Sequence, residues 1–152
     1  MQFSGSVAIH APRDVVWAFV DDPHQVGSCA PGVESVDVHD DGTITAHARV
    51  TVGPISFRFD AAGEYTERVE PEHAAVRGRA KAPGTVVDGT AQMSLRDADD
   101  GGTIMDWSAD VQFSGTIANI GARLIRGTAN RLIEQGFACI KARLEGEGGP
   151  PG

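Results

Sequence analysis

The sequence predicts an α+β fold: a curved antiparallel sheet of about seven strands wrapped around one long C-terminal helix, with short helices after the first strand. Three observations predict it. Apolar and polar residues alternate in segment after segment between Ile44 and Phe113, the period of strands with one dry and one wet face. The segments are separated by short turn signals such as Gly53-Pro54 and Asp99-Asp100-Gly101-Gly102. From Thr116 to about Glu145 the apolar spacing becomes helical and proline is absent.

The elements follow in order. Phe3, Gly5, Val7 and Ile9 alternate with Gln2, Ser4, Ser6 and His10, giving a half-buried first strand. Ala11-Pro12-Arg13-Asp14 opens a short helix whose apolar side is Val16, Trp17, Phe19 and Val20. Asp22-Pro23 ends it, because a residue before proline avoids the helical region. A short irregular or helical piece closes at Pro31-Gly32, and a weaker strand spans Val33–Val38. Strands over 44–52, 55–61, 74–82, 87–96 and 105–113 come next. In the long helix, Ile117, Ile120, Leu124, Thr128, Leu132 and Ile140 fall near one stripe, and Ser114-Gly115-Thr116 offers capping residues. One long helix must cover the dry face of the bent sheet, which is a helix-grip arrangement. The 152 residues make one domain over 1–145. The Gly/Pro-rich stretch 146–152 reads as a flexible tail or the start of a linker.

Composition narrows the function. Net charge is −8, which argues against nucleic-acid binding over the whole surface. The acidity is uneven: residues 1–115 hold 8 basic and 18 acidic residues, whereas 116–145 hold 5 and 2. An acidic body therefore carries a basic helix, with Arg123, Arg126 and Arg131 as a solvated face or as a docking face for an acidic partner or an anionic membrane. The longest uninterrupted apolar run, Val15–Val20, is too short to span a bilayer, and no secretory signal opens the chain. Cys29 and Cys139 form no C-x-x-C pair and no disulfide framework, so a reduced, cytoplasmic protein is expected.

The apolar residues are small: 20 Ala and 19 Gly stand against 4 Leu. They concentrate on the dry face, at positions such as Gly5, Ala46, Ala61, Gly78, Ala80, Gly89, Ala91 and Ala109. Small residues mean either close packing or open space. A helix laid on a curved sheet cannot approach every strand, so open space is the favoured reading, with tight packing as the alternative. Phe57, Phe59, Val76, Met93, Trp107, Ala109 and Val111 would wall such a cavity, and Leu124, Thr128 and Leu132 would roof it.

Catalytic motifs are missing. The five histidines lack metal-ligand spacing, and no nucleophile elbow, P-loop or dinucleotide fingerprint occurs. Asp21-Asp22, Asp40-Asp41 and Asp99-Asp100 read as solvated turn residues. No catalytic residue and no metal site is assigned, and a non-catalytic binding protein is expected. Tyr65, Thr128, Asn130 and Gln135 are the polar residues that an enzyme of this shape would have to use.

Several local features carry a resemblance. They are Phe3-Ser4-Gly5, Ala11-Pro12 with Val16-Trp17 and Asp22-Pro23, Cys29-Ala30-Pro31-Gly32-Val33-Glu34, and Val52-Gly53-Pro54-Ile55. Gly89-Thr90-Ala91, Gly102-Thr103 with Trp107, Phe113-Ser114-Gly115, and Ile120-Gly121 with Leu124-Ile125 complete the series. In this order the chain resembles, from about residue 3 to 144, the carbon monoxide dehydrogenase CoxG family of the START-like (SRPBCC) helix-grip superfamily. The resemblance implies an accessory protein of a molybdenum-containing carbon monoxide dehydrogenase or related hydroxylase, serving assembly, membrane recruitment or electron-acceptor supply. It implies no catalytic residue and no covalent cofactor. The superfamily implies a lipophilic ligand; joined to the partner enzyme's need for an acceptor, this gives a respiratory quinone or other lipid as the expected ligand. Peripheral contact with the inner face of the cytoplasmic membrane is expected with it. A small-molecule cyclase/dehydratase of the polyketide cyclase type, or a ligand-free assembly factor, are the alternatives.

Overall fold

The computed structural model describes residues 1–146. The expected tail lies, beyond its first residue, outside them. The elements are β1 (Gln2–Ile9), α1 (Arg13–Val20), α2 (Pro23–Cys29), β2 (Val33–Val38), β3 (Ile44–Val52), β4 (Ile55–Val69), β5 (His73–Ala82), β6 (Thr85–Asp97) and β7 (Thr103–Gly115), then a 3₁₀ turn (Thr116–Ile120) and α3 (Ala122–Glu145). The strands form one antiparallel sheet in the order β1-β7-β6-β5-β4-β3-β2. This is the α+β helix-grip architecture that the alternation and the long helix predict.

Beyond shifts of one or two residues at strand ends, two boundaries differ from the sequence reading. β4 continues to Val69, eight residues past the predicted end, because a bulge between Tyr65 and Glu67 shifts the pairing with β5 and breaks the alternation. The helix predicted from Thr116 is split. Gly121 has φ +110°, a conformation that interrupts the helix and makes α3 start only at Ala122. Just before, Gly115 has φ +85°, and a Cβ there would lie 2.0 Å from the Gly84 carbonyl oxygen.

The apolar stripe of α3 also sits one residue from the predicted line at its N-terminus. Ile125, Thr128 and Ile140 are buried, while Leu124 is 43% exposed. Leu124 packs instead on the β3–β4 turn, where a Cβ on Gly53 would meet its Cδ2 at 2.7 Å.

The core is divided between the two ends of the sheet. At one end Ile9, Val16, Trp17, Phe19, Leu95 and Met105 pack with Ile140. At the other, Val52, Phe57, Phe59 and Ile117 pack with Ile125. Thr103, fully buried, ties the first end together by donating from its hydroxyl to the Ala11 carbonyl at 2.7 Å.

The cysteines do not follow the sequence expectation. Cys29 and Cys139, separated by 110 positions in sequence, form a disulfide with Cα atoms 5.5 Å apart. Spacing gave no hint, because the pair is made by the packing of α2 against α3: Cys29 ends α2, and a Cβ on Gly136, one turn before Cys139, would lie 3.7 Å from the Cys29 carbonyl.

Candidate functional site

Between the two core clusters the inward face of the sheet is made of very small residues. Ala46 on β3, Ala61 and Gly63 on β4, Gly78 and Ala80 on β5, Gly89 and Ala91 on β6, and Ala109 on β7 lie in adjoining rows, with Val76, Val87 and Val111 beside them. They line an apolar hollow of about 420 Å³. The geometry explains it. Ile125 and Ile140 seat α3 in the two end clusters, about 22 Å apart along the helix axis at 1.5 Å per residue. The middle of the sheet, built of glycine and alanine, is too low to reach the helix between those supports. The volume falls within the ordinary range of small-molecule sites, about 300–1,000 Å³.

The predicted wall residues divide into two groups. Val76, Ala109 and Val111 line the hollow. Phe57 and Phe59 are buried and stacked with ring centroids 5.7 Å apart, closing one end as core. Met93 packs on the opposite cluster. Trp107 tilts against Phe137 at 5.7 Å and covers Gly5, where a Cβ would stand 3.1 Å from the indole. The roof differs from expectation. Thr128 is buried and Leu132 half-buried on α3, but neither reaches the lining, and Leu124 points out over the Gly53 turn. Phe137 was not foreseen; its four-residue spacing from the half-buried Ile133 and three-residue spacing to Ile140 were the available signal.

One polar cluster adjoins the hollow. Tyr65 continues the inward row of Ala61 and Gly63, packs on the Trp17 cluster and is half-buried. Burial, then the nearby Asp21 charge, pushes its hydroxyl above the usual tyrosine range. Arg68 lies 5.1 Å from the Tyr65 ring centroid and donates to Asp21 Oδ2 at 2.5 Å. The other Asp21 oxygen, just past the end of α1, and the Trp17 indole nitrogen one turn earlier are buried with no hydrogen-bond partner among the described residues. Asp21 is therefore not the solvated turn residue that its Asp-Asp-Pro setting implied, because β4 reaches far enough to bring Arg68 onto it. Its neighbour Asp22 keeps a turn role: its carboxylate accepts from the His24 N–H and caps α2. Of the remaining polar candidates, Asn130 and Gln135 are exposed on α3.

A second hollow, about 390 Å³, lies on the outer face among Ser4, Thr66, Gln92, Ser108 and Asp110. Its polar side chains and outer position make it a poorer site for an apolar ligand. Among the described residues no group of His, Cys, Asp and Glu has the geometry of a metal site, and no helix is long and apolar enough to cross a membrane.

Arg123, Arg126 and Arg131 are exposed on α3. Arg126 is partly occupied: its guanidinium lies 4.9 Å from the Phe3 ring centroid and donates to the Gln2 carbonyl at 3.1 Å. Among the described residues none of the three pairs with a carboxylate, whereas Arg77, Arg79 and Arg96 on the sheet are paired with Glu64, Asp88 and Asp106.

Residues 5–145 match the model of the carbon monoxide dehydrogenase CoxG family. The chain belongs to the CoxG family. Solved structures agree on the fold. A conserved protein from Geobacillus kaustophilus superposes with a TM-score of 0.88 at 22% identity, covering 95% of each chain. The Zhui aromatase/cyclase from a Streptomyces species gives 0.69 at 16% identity over 98% of each chain. A START superfamily protein from Mycobacterium smegmatis gives 0.68 at 12% identity, covering 95% of this chain and 97% of that one. At these identities the likeness is one of fold. No curated protein matches the sequence. The CoxG-family match covers both end clusters, the hollow and the basic first half of α3.

Proposed function

We propose that this CoxG-family protein binds a lipophilic ligand, a respiratory quinone, in the hollow between α3 and the sheet. In this reading it serves a molybdenum-containing carbon monoxide dehydrogenase as a non-catalytic accessory that links the enzyme to its membrane-borne electron acceptor. The observation that carries the reading is an apolar hollow of about 420 Å³ held open between two packed clusters. A fold that needed only a rigid docking surface would gain stability by filling that volume, since each buried methylene contributes about 0.8 kcal/mol. The family supplies the partner, since it is named for a component of carbon monoxide dehydrogenase. Tyr65, which pairs in register with the lining residue Val76, would supply a donor for a ligand carbonyl.

The test is a titration of the purified, delipidated protein with menaquinone or ubiquinone, followed by Trp107 and Trp17 fluorescence, alongside mass spectrometry of lipid extracted from the protein as isolated. Saturable quenching and a co-purifying prenylated quinone are expected, with binding weakened several-fold in Tyr65→Phe. A protein isolated without lipid that also ignores both quinones refutes the reading. The fold shared with an aromatase/cyclase raises an enzymatic alternative. It would require turnover of a polyketide-like substrate that Tyr65→Phe abolishes.

A further inference from the structure

The two ends of the sheet differ sharply in charge. One end is built by the β3–β4 turn, the β5–β6 turn, the 3₁₀ turn and the start of α3. These pieces are in contact: the Thr116 N–H donates to the Gly84 carbonyl at 2.9 Å, the Ile117 N–H to the Thr85 hydroxyl at 3.2 Å, and Leu124 covers Gly53. The segments concerned, 49–59, 79–87 and 111–133, contain none of the chain's 21 Asp and Glu residues but 7 of its 13 Lys and Arg. The flanking carboxylates, Asp60, Asp88 and Asp110 on the strands, Glu34 at the β2 bulge and Glu134 on α3, stand at the margins of these segments, and Asp88 is held by Arg79. Arg49 and Arg58 lie directly opposite each other in the β3–β4 register, a like-charge pairing that costs stability unless an anion faces it. The tips between these cations are apolar or lack side-chain hydrogen-bonding groups: Gly53-Pro54, Pro83-Gly84 and the exposed Leu124. The opposite end carries the acidic turns Asp40-Asp41, Glu70-Pro71-Glu72 and Asp97 to Asp100.

We infer that the acid-free end is a docking surface for an anionic lipid bilayer, with Leu124 and the two proline-containing turns dipping into the headgroup region. This deepens the quinone reading and rests on it, since a protein that exchanges a membrane lipid must meet the membrane. The acidic far end enforces orientation: a chain of net −8 is repelled by an anionic surface except where its carboxylates are absent. Apolar tips set among cations are the composition of an interfacial element. An acidic protein partner would be recognised by the same cations, but it would have no use for bare Gly-Pro tips that offer no side-chain hydrogen bond.

The experiment is co-sedimentation with phosphatidylcholine vesicles, with and without phosphatidylglycerol. The protein is expected to bind the anionic vesicles and to release as salt is raised. Arg58→Gln/Arg123→Gln/Arg131→Gln is expected to weaken that binding by about a hundredfold, from the worth of three surface cations. The triple Arg13→Gln/Arg77→Gln/Arg96→Gln changes net charge equally at arginines that are paired with carboxylates and lie outside the acid-free segments, and is expected to stay within about twofold, the scale of a screened, already neutralised charge. Leu124→Ser is expected to weaken binding several-fold while leaving the salt dependence in place. Equal losses in the two triples, no binding to anionic vesicles, or equal binding to neutral ones overturns the inference. So does a wild type that ignores vesicles but captures the dehydrogenase, with capture lost in the first triple, which assigns the surface to a protein. The quinone titration, done without vesicles, reports the hollow alone, so failure of docking and failure of ligand binding are read separately.

Discussion

Replacing Ala109 by leucine separates a hollow from a packed interior by the sign of its effect. Ala109 lies on β7 between Phe3 and Ala91 in the register, and its methyl group faces the hollow. Leucine adds three carbons there. At about 0.8 kcal/mol per buried carbon the ceiling is a gain of about 2.4 kcal/mol. Ala109 is only half-buried, so about 1 kcal/mol is expected, equivalent to about 2–4 °C in Tm for a chain of this length. Ala74 is the control. It is 7% exposed and belongs to the Trp17 cluster, where leucine has nowhere to go. Overpacking a filled core costs about 1–3 kcal/mol. Thermal unfolding by circular dichroism in lipid-free protein should show Ala109→Leu at or above the parent Tm and Ala74→Leu clearly below it. The quinone titration should show Ala109→Leu losing uptake because the leucine occupies the ligand's place. A fall in Tm for Ala109→Leu as large as that for Ala74→Leu would refute the reasoning, since it would mean that the sheet centre is already in contact with its cover.

The disulfide and the surface carboxylates give two more expectations. The bond between Cys29 and Cys139 closes a loop of about 110 residues, and removing it should cost about 3–5 kcal/mol, so Cys139→Ser or dithiothreitol should lower Tm by roughly 6–20 °C; an unchanged Tm would show that the closure adds nothing. Asp106 is held below the usual carboxylate range by the Arg96 side chain and then by the Ser6 hydroxyl, Asp100 by the Gly102 N–H, and Asp41 by the Thr43 hydroxyl. A carboxylate with a depressed folded-state pKa stabilises the fold above its unfolded pKa and ceases to as pH falls through the folded one. Tm should therefore decline as pH drops below about 4, and Arg96→Gln should raise the Asp106 midpoint in a carboxyl NMR titration. An Asp106 midpoint unmoved by that change would refute the assignment.

Much of the fold was legible because a half-buried antiparallel sheet writes its burial into alternate residues. The row Ala74, Val76, Gly78, Ala80, Ala82 states which side of β5 is dry, and it is dry. The small residues on the dry faces also come together in space, since Ala61, Ala80, Ala91 and Ala109 meet around one hollow. What was illegible depends on contacts between distant segments. The extension of β4 to Val69 rests on a bulge, which costs the sequence its period at the residue where it is needed. The role of Asp21 depends on that extension, because only then does Arg68 reach it. The Cys29–Cys139 pair depends on α2 lying across α3, which no spacing encodes. The stripe on α3 was displaced at its start because Leu124 is as apolar as Ile125, and only the Gly53 turn decides which of them faces outward.

These displacements have a common cause that bears on the site. A helix touching the sheet along its whole length would need a continuous apolar stripe, and the roof residues would then be its middle members. Here the large buried groups stand at the two ends, Ile125 with Phe57 and Phe59, and Ile140 with Trp17 and Phe19. Between them the hollow is lined by sheet residues alone, mostly alanine and glycine, and the mid-helix residues Thr128 and Leu132 do not reach it. The disulfide adds a third fixing point close to Ile140, on the side away from the basic end. The ends thus carry the stability and the centre carries the space. Movement that admitted a ligand would cost least at the Gly121 end, which lies far from the disulfide and where α3 starts without a side-chain cap among the described residues; it is the end whose segments lack carboxylates. A ligand arriving from an anionic membrane would meet the less constrained end of the helix first.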